Sequence, residues 1–488
     1  MSYAVLTLTL LCATILLCVP AAAYQNPLKL PNEAMGAGIA DPGLLRYMGK
    51  YYLYATKVTS DPGIRCWESK DLVNWTFKGF CTGDDPVFAQ GHGWSPGPFY
   101  YNGKFYLYVC GIDQKHKVFE SDQPTGPFKC VNSDLIDVNS LDAVPFLDDD
   151  GRLYLFYAGW AGVGIQFRTC SSPTKADGPN QTLKSCQFSA EDNDNFWTEG
   201  PTLYKRDGTY YLAYCGNDWA RDSYQVRAAK GKSISKLTPQ KTNPIIAQVK
   251  GEWVAPGCNW IITGPDLKSL WNVYHVRKGG AHERRMCLGA LHIDPKSGDL
   301  ICDGPTWQST PNPAPPTWHE DFARTDLGPT WQSISGKWKS GEGRLTCQAI
   351  GDHNTAEILC KSPIGQSFVA EFNLRLVDTP AGSAKRSYGV SICRGDSGSL
   401  LVMIDAKSKS LQLRNSNSSK ALASAPLPKA FTLDVWHAIV VEKRGSHLTA
   451  YFDGMRKIDA EISATGTAFG FITQNCRADF GWCGISNL

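Results

Sequence analysis

The sequence lacks a charge bias: 49 lysines and arginines stand against 46 aspartates and glutamates in 488 residues, a formal net charge of +3. That balance gives no reason to expect nucleic acid or an anionic membrane surface as a partner. No two of its 17 cysteines have the CxxC spacing of a structural zinc site. Long helical periodicity is absent, which argues against an architecture built on helices. Only one long apolar run occurs, from Tyr3 to Ala23, and no later segment is long and apolar enough to span a bilayer.

That run ends in Ala21 and Ala23, the small-x-small pattern of a signal-peptidase site. Residues 1–23 therefore read as a signal peptide, so the mature protein is expected to be secreted, with no membrane in its mature form. The missing basic n-region leaves a retained anchor as the alternative. Cys12 and Cys18 leave with the peptide, and an odd number of cysteines remains. An oxidising compartment then predicts several disulfides and at least one free thiol. Three sequons, at Asn74, Asn180 and Asn417, are compatible with glycosylation.

What the chain has in quantity is aromatic residues, 11% overall, enough for a large β core or for surfaces that stack on sugar rings. Many fall in a recurring phrase, a Gly turn followed by an aromatic strand. It occurs as Gly49-Lys50-Tyr51-Tyr52-Leu53-Tyr54, Gly103-Lys104-Phe105-Tyr106-Leu107-Tyr108, Gly151-Arg152-Leu153-Tyr154-Leu155-Phe156 and Gly208-Thr209-Tyr210-Tyr211-Leu212. Leu270-Trp271-Asn272-Val273-Tyr274-His275 is a degenerate fifth copy. The four glycines are 54, 48 and 57 residues apart, close to the length of a four-stranded blade. The expected fold is all-β, with a five-bladed β-propeller over residues 24–310. A proline-rich linker over 311–317 follows. Residues 318–488 change character, with period-two alternation in Phe368–Leu374 and a hairpin pattern around Arg444-Gly445-Ser446. They predict an antiparallel, jelly-roll-like β-sandwich.

Acids stand just before three of the phrases. Asp41, Asp142 and Glu199 precede their glycines by eight or nine residues, and each is followed closely by proline. Blades two and five have Ser95-Pro96-Gly97-Pro98 and Ala255-Pro256-Gly257 at the corresponding place. One Asp before a β-turn is ordinarily a turn residue. Three acids in matched positions of a rotationally repeated fold converge instead on the mouth of its central channel. Glycoside hydrolysis needs such convergence: one carboxylic acid protonates the leaving oxygen and a carboxylate opposite activates water. A third carboxylate raises the pKa of the acid by like-charge repulsion.

The segments Ala40-Asp41-Pro42-Gly43, Leu141-Asp142-Ala143-Val144-Pro145 and Thr198-Glu199-Gly200-Pro201 resemble the three acidic motifs of glycoside hydrolase family 43. Glu68-Ser69-Lys70-Asp71-Leu72-Val73-Asn74-Trp75, at the close of the first blade, shares the likeness. The resemblance covers the whole propeller segment. It implies an inverting glycosidase of the arabinofuranosidase, xylosidase or arabinanase type acting on an oligo- or polysaccharide. Asp41 would be the general base, Glu199 the general acid and Asp142 the pKa modulator. Two positions depart from the family pattern: Gly97 where a Glu is frequent, and Cys258 where a His is frequent. No cofactor is implied, and a structural calcium in the channel is left open.

Trp94, Trp160 and Trp219, near blade entrances, are candidates to stack on a sugar face, against the commoner role of such residues in the core. Tyr224, His275 and Arg285 are further candidates for substrate contact, against a satisfied channel histidine and a solvated arginine. The C-terminal sandwich resembles the concanavalin-like or laminin-G-like domains appended to secreted glycosidases. It is expected either to bind sugar or to buttress the propeller and narrow the active-site rim. The rival readings are a propeller glycosidase of a related clan with another sugar, and a secreted lectin that has lost turnover.

Overall fold

Each Gly of the repeat closes a hairpin. Met48-Gly49, Asn102-Gly103 and Asp207-Gly208 all have positive φ at both positions, the geometry of a two-residue type I′ turn, which suits the twist of the flanking strands. The registers agree, with Tyr47 opposite Lys50, Tyr101 opposite Lys104 and Arg206 opposite Thr209. Blade three uses a longer loop, from Leu147 to Leu153. The computed structural model describes residues 22–83, 85–88, 91–160, 163–188, 197–247, 249–349, 355–378, 386–396, 398–418 and 420–488. Residues 1–21, which carry most of the proposed signal peptide, lie outside them.

Five four-stranded antiparallel sheets follow in chain order. Their innermost strands are Gly43–Tyr47, Trp94–Tyr101, Ser140–Leu147, Thr198–Arg206 and Trp253–Thr263. The aromatic strands of the repeat come second in each blade and are almost wholly buried. They fill the spaces between neighbouring blades: Tyr51 and Leu53 of blade one, for example, pack with Met286 and Leu288 of blade five. Ala23–Tyr24 pairs with Thr310–Pro311, so the two ends of the propeller segment are tied together.

Residues 318–488 form two antiparallel sheets, of eight and seven strands, around one core that includes Trp331, Phe372, Tyr388, Phe452, Phe471 and Phe480. The alternation in Phe368–Asp378 has a two-sided meaning. Phe368, Ala370, Phe372 and Leu374 enter this core. Val369 packs instead with Trp482, Leu267 and Met48, two of them propeller residues, and Glu371 pairs with Arg46.

The sandwich docks on the hairpin-turn end of the propeller. Gly49 lies against the Trp482 indole, where a Cβ would meet ring atoms at 2.2 Å. The Tyr100 hydroxyl donates to the Trp436 carbonyl (2.6 Å), the Arg206 guanidinium to Glu442 (2.8 Å), and the Lys268 ammonium to the Asn487 carbonyl (2.8 Å). In blade three Asp149 accepts from the Arg456 backbone N–H (2.7 Å). All five blades thus reach the sandwich through the end opposite the acids. The expectation that it narrows the active-site rim does not hold for the described residues, because the strands carry their acids at one end and their docking turns at the other.

Nor is a disulfide present among the described residues. The cysteines pack as small apolar side chains, most of them buried; Cys110 and Cys215, for instance, sit in the cores between blades. Among the described residues no helix is long and apolar enough to cross a membrane.

Candidate active site

A backbone irregularity recurs at the start of every innermost strand. Asp41, Ser95, Asp142, Gly200 and Cys258 have φ of 50°, 46°, 57°, 58° and 47°. Each lies two residues before a matching ladder pair: Gly43–Tyr54, Gly97–Tyr108, Val144–Phe156, Thr202–Ala213 and Trp260–Val273. These five residues form a ring of equivalent positions around the channel. Left-handed backbone at four non-glycine residues is strain that the surrounding ladder must hold, and such strain concentrates at functional sites.

The ring differs from the sequence expectation in two places. In blade five the equivalent residue is Cys258, not the Ala255-Pro256-Gly257 segment, because register shifts flank Gly257 and lengthen the strand. In blade four the ring position belongs to Gly200, so Glu199 stands one residue ahead of the register shared by Asp41 and Asp142.

Asp41 is held on several sides. The Thr56 hydroxyl donates to Oδ2 (2.5 Å) and itself accepts from the Ser95 N–H (2.9 Å). Arg284 Nη1 donates to Oδ1 (3.1 Å). Burial pushes the Asp41 pKa up, but Arg284 and hydrogen bonds from Thr56 and the Cys258 thiol outweigh it, and the net shift is below the ordinary carboxylate value. Asp142, 5% exposed, accepts from the Gly200 N–H (2.8 Å). Burial and the nearby charges of Glu199 and Asp41 hold its carboxyl well above the usual range. Glu199 accepts from Tyr224 Oη (2.5 Å) and Trp197 Nε1 (2.7 Å). Burial raises it to about 7, with Asp41 adding to the rise and the two donors opposing it. Asp142 and Glu199 titrate together. The pair keeps a proton over a range in which Asp41 is ionised, the split that acid–base catalysis requires.

The three acids open into a cavity of about 380 Å³ with Arg284 beside them and Trp94, Trp160, Trp197 and Trp219 around them. The three tryptophans expected from sequence are all there; Trp197 was not singled out. Trp160 and Trp197 meet edge to face at 5.4 Å, and the Arg284 guanidinium lies 4.9 Å over the Trp219 ring.

The other candidates sit elsewhere. Tyr224 is fully buried behind Glu199 rather than lining the cavity. His275 lies beneath Asp41, its Nδ1 accepting from the Asp41 N–H (3.3 Å). Burial, with Arg284 and Arg277 nearby, lowers its pKa to about 3, so the ring is neutral and its 3.4 Å approach to Oδ1 is not an ion pair. Arg285 points away, pairing with Glu33 (2.8 Å) and Glu283 (2.6 Å). Its neighbour Arg284 takes the site because side chains alternate along Arg284–Ile293. Met286 and Leu288, of the same parity as Arg284, pack against blade one; that parity was the available signal.

Among the described residues, Asp41, Cys258 and His275 bring donor atoms within 4.8 Å of one another. A thiol, an imidazole and one carboxylate are the wrong donors for calcium, which takes six to eight oxygens. The residues present do not fit a channel calcium at this position.

The sequence profile described as glycosyl hydrolases family 43 matches residues 35–294. An extracellular endo-α-(1→5)-L-arabinanase of Bacillus subtilis is 23% identical over 259 residues, covering 46% of this chain and 77% of its own. Xylosidase/arabinosidase 43A of Humicola insolens is 23% identical over 335 residues, 54% of this chain and 97% of its own. A thermostable family-43 glycoside hydrolase superposes with a TM-score of 0.53 at 28% identity, over 60% of this chain and 99% of its own. The match spans all five acid-bearing or equivalent strand starts and more than half of the sequence, and the chain belongs to glycosyl hydrolases family 43.

Proposed function

We propose that the protein is a secreted, inverting glycosidase acting on arabinose- or xylose-containing glycans. The observation that carries the reading is the divided protonation of three carboxylates that line one tryptophan-walled cavity. Asp41, ionised and fixed by Thr56 and Arg284, takes a proton from the attacking water. Glu199 delivers its proton to the glycosidic oxygen, and Asp142 keeps the proton count of the pair. In an inverting enzyme the base and acid carboxyls stand roughly 6.5–9.5 Å apart, leaving room for that water. Sugars named for the relatives support the choice of pentoses, and the apolar leader with the extracellular Bacillus relative supports export.

The test is hydrolysis of aryl α-L-arabinofuranosides and β-D-xylosides and of the matching oligosaccharides, beside Glu199→Gln, with the anomer of the first product read by NMR. Turnover with an inverted product, and a large loss in the variant on oligosaccharides, is the expected result. A retained anomer overturns the mechanism. Sugar binding without turnover overturns the enzyme reading in favour of a lectin.

A further inference from the structure

We infer that the cavity takes the non-reducing end of a glycan end-on, so that each cleavage releases one monosaccharide and internal bonds are not cut. This rests on the hydrolytic reading above and specifies what that site accepts.

The first argument is the offset of the acid. Every innermost strand starts at the cavity and runs to a hairpin turn on the sandwich side, so an earlier residue on it is nearer the mouth. Asp41 and Asp142 occupy the ring, whereas Glu199 precedes its ring residue Gly200 by one position. One strand residue is a displacement on the order of 3 Å. The base therefore lies at the floor and the acid stands toward the mouth. Water activated by Asp41 attacks the anomeric carbon from below, in line with a glycosidic bond that points outward to Glu199. The leaving group departs toward solvent, and the sugar under attack occupies the inner end.

The second argument is that this inner end is closed. Below the ring lies a cavity of about 10 Å³, bordered by Asp41, Ser95, Asp142, Gly200 and Cys258, room for no more than one water. The sandwich covers the far end of the propeller.

The third is the wall. Trp94, Trp160 and Trp197 pack on one buried cluster with Leu141. Trp160 touches Trp197, whose indole bonds Glu199. Trp219 stacks under Arg284, and Arg284 bonds Asp41. Among the described residues, large side chains from blade two round to blade five thus line the cavity. The volume of about 380 Å³ lies at the small end of ligand pockets, about 300–1,000 Å³, suited to one or two sugar residues.

The experiment uses the full-length mature protein with linear α-1,5-arabino- and β-1,4-xylo-pentasaccharides reduced at their reducing ends, and with the corresponding polymers. The expected products, from the earliest time points, are the free monosaccharide and a tetrasaccharide that keeps the reduced end. Polymer viscosity should stay nearly constant while monosaccharide accumulates. Early di- and trisaccharides with a steep fall in viscosity would overturn end-on binding while leaving the hydrolase reading intact. Release of no sugar from any of these substrates, short or long, would overturn both.

Discussion

Tyr224, itself wholly buried, donates a 2.5 Å hydrogen bond from its hydroxyl to Glu199 Oε1. The bond favours the ionised carboxylate and so opposes the rise that burial imposes on Glu199. Removing it should raise the Glu199 pKa further. Tyr224→Phe is expected to move the alkaline limb of the kcat/KM profile up by about one pH unit. A kcat loss on the order of tenfold should accompany it, because the acid loses one of its two fixed donors. An unmoved limb would mean that the phenol has only a packing role.

Arg284 and Arg285 are adjacent on one strand and should behave as opposites. Arg284→Ala removes the cation beside Asp41, whose pKa then rises. The acid limb should shift to higher pH, and kcat/KM should fall on the order of a hundredfold. Arg285→Ala loses contacts only to Glu33 and Glu283 and should keep near-normal activity. Equal losses in the two variants would contradict the assignment of the site to Arg284.

The pH profile follows from the signs of the shifts. A general base works deprotonated, so activity is lost as pH falls through the lowered Asp41 pKa. A general acid works protonated, so activity is lost as pH rises through about 7, where Glu199 titrates. A bell is expected with its acid limb below the usual carboxylate range.

Arg46 and Glu371 pair across the domain junction with side chains 13% and 7% exposed. Arg46→Ala leaves Glu371 buried without its cation and should destabilise the protein by about 3 kcal/mol, read from denaturant unfolding of the full chain. Arg46→Met with Glu371→Leu, which removes both charges, should recover much of that loss. A single variant as stable as wild type would show that the junction relaxes to admit water.

Much of this molecule was legible without coordinates, and the reasons are local. A Gly turn followed by an aromatic strand is a short-range signal, and its recurrence marks the blades because each blade repeats the same fold within itself. The acids before Gly49, Gly151 and Gly208 were visible for the same reason: rotation about one axis turns matched sequence positions into neighbours. The three tryptophans could be placed near the mouth by their distance from those strands, but not distinguished from core aromatics.

What the sequence alone determined was therefore the repeat, the two-part organisation, the three acids and the family. Tertiary structure decided how those parts meet. Arg284 reaches Asp41 across 243 residues, and only the parity of its strand, set by packing against blade one, chooses it over Arg285. The one-residue offset of Glu199 and the promotion of Cys258 to the ring arise from register shifts at bulges, which conserve the order of residues while changing which of them align. The sandwich meets the turns rather than the mouth because Gly49 has no Cβ to keep Trp482 away, and because the buried Arg46 and Glu371 complete each other only at that end. Such contacts depend on shape and charge brought together by folding, and no short stretch of the chain contains both halves of any of them.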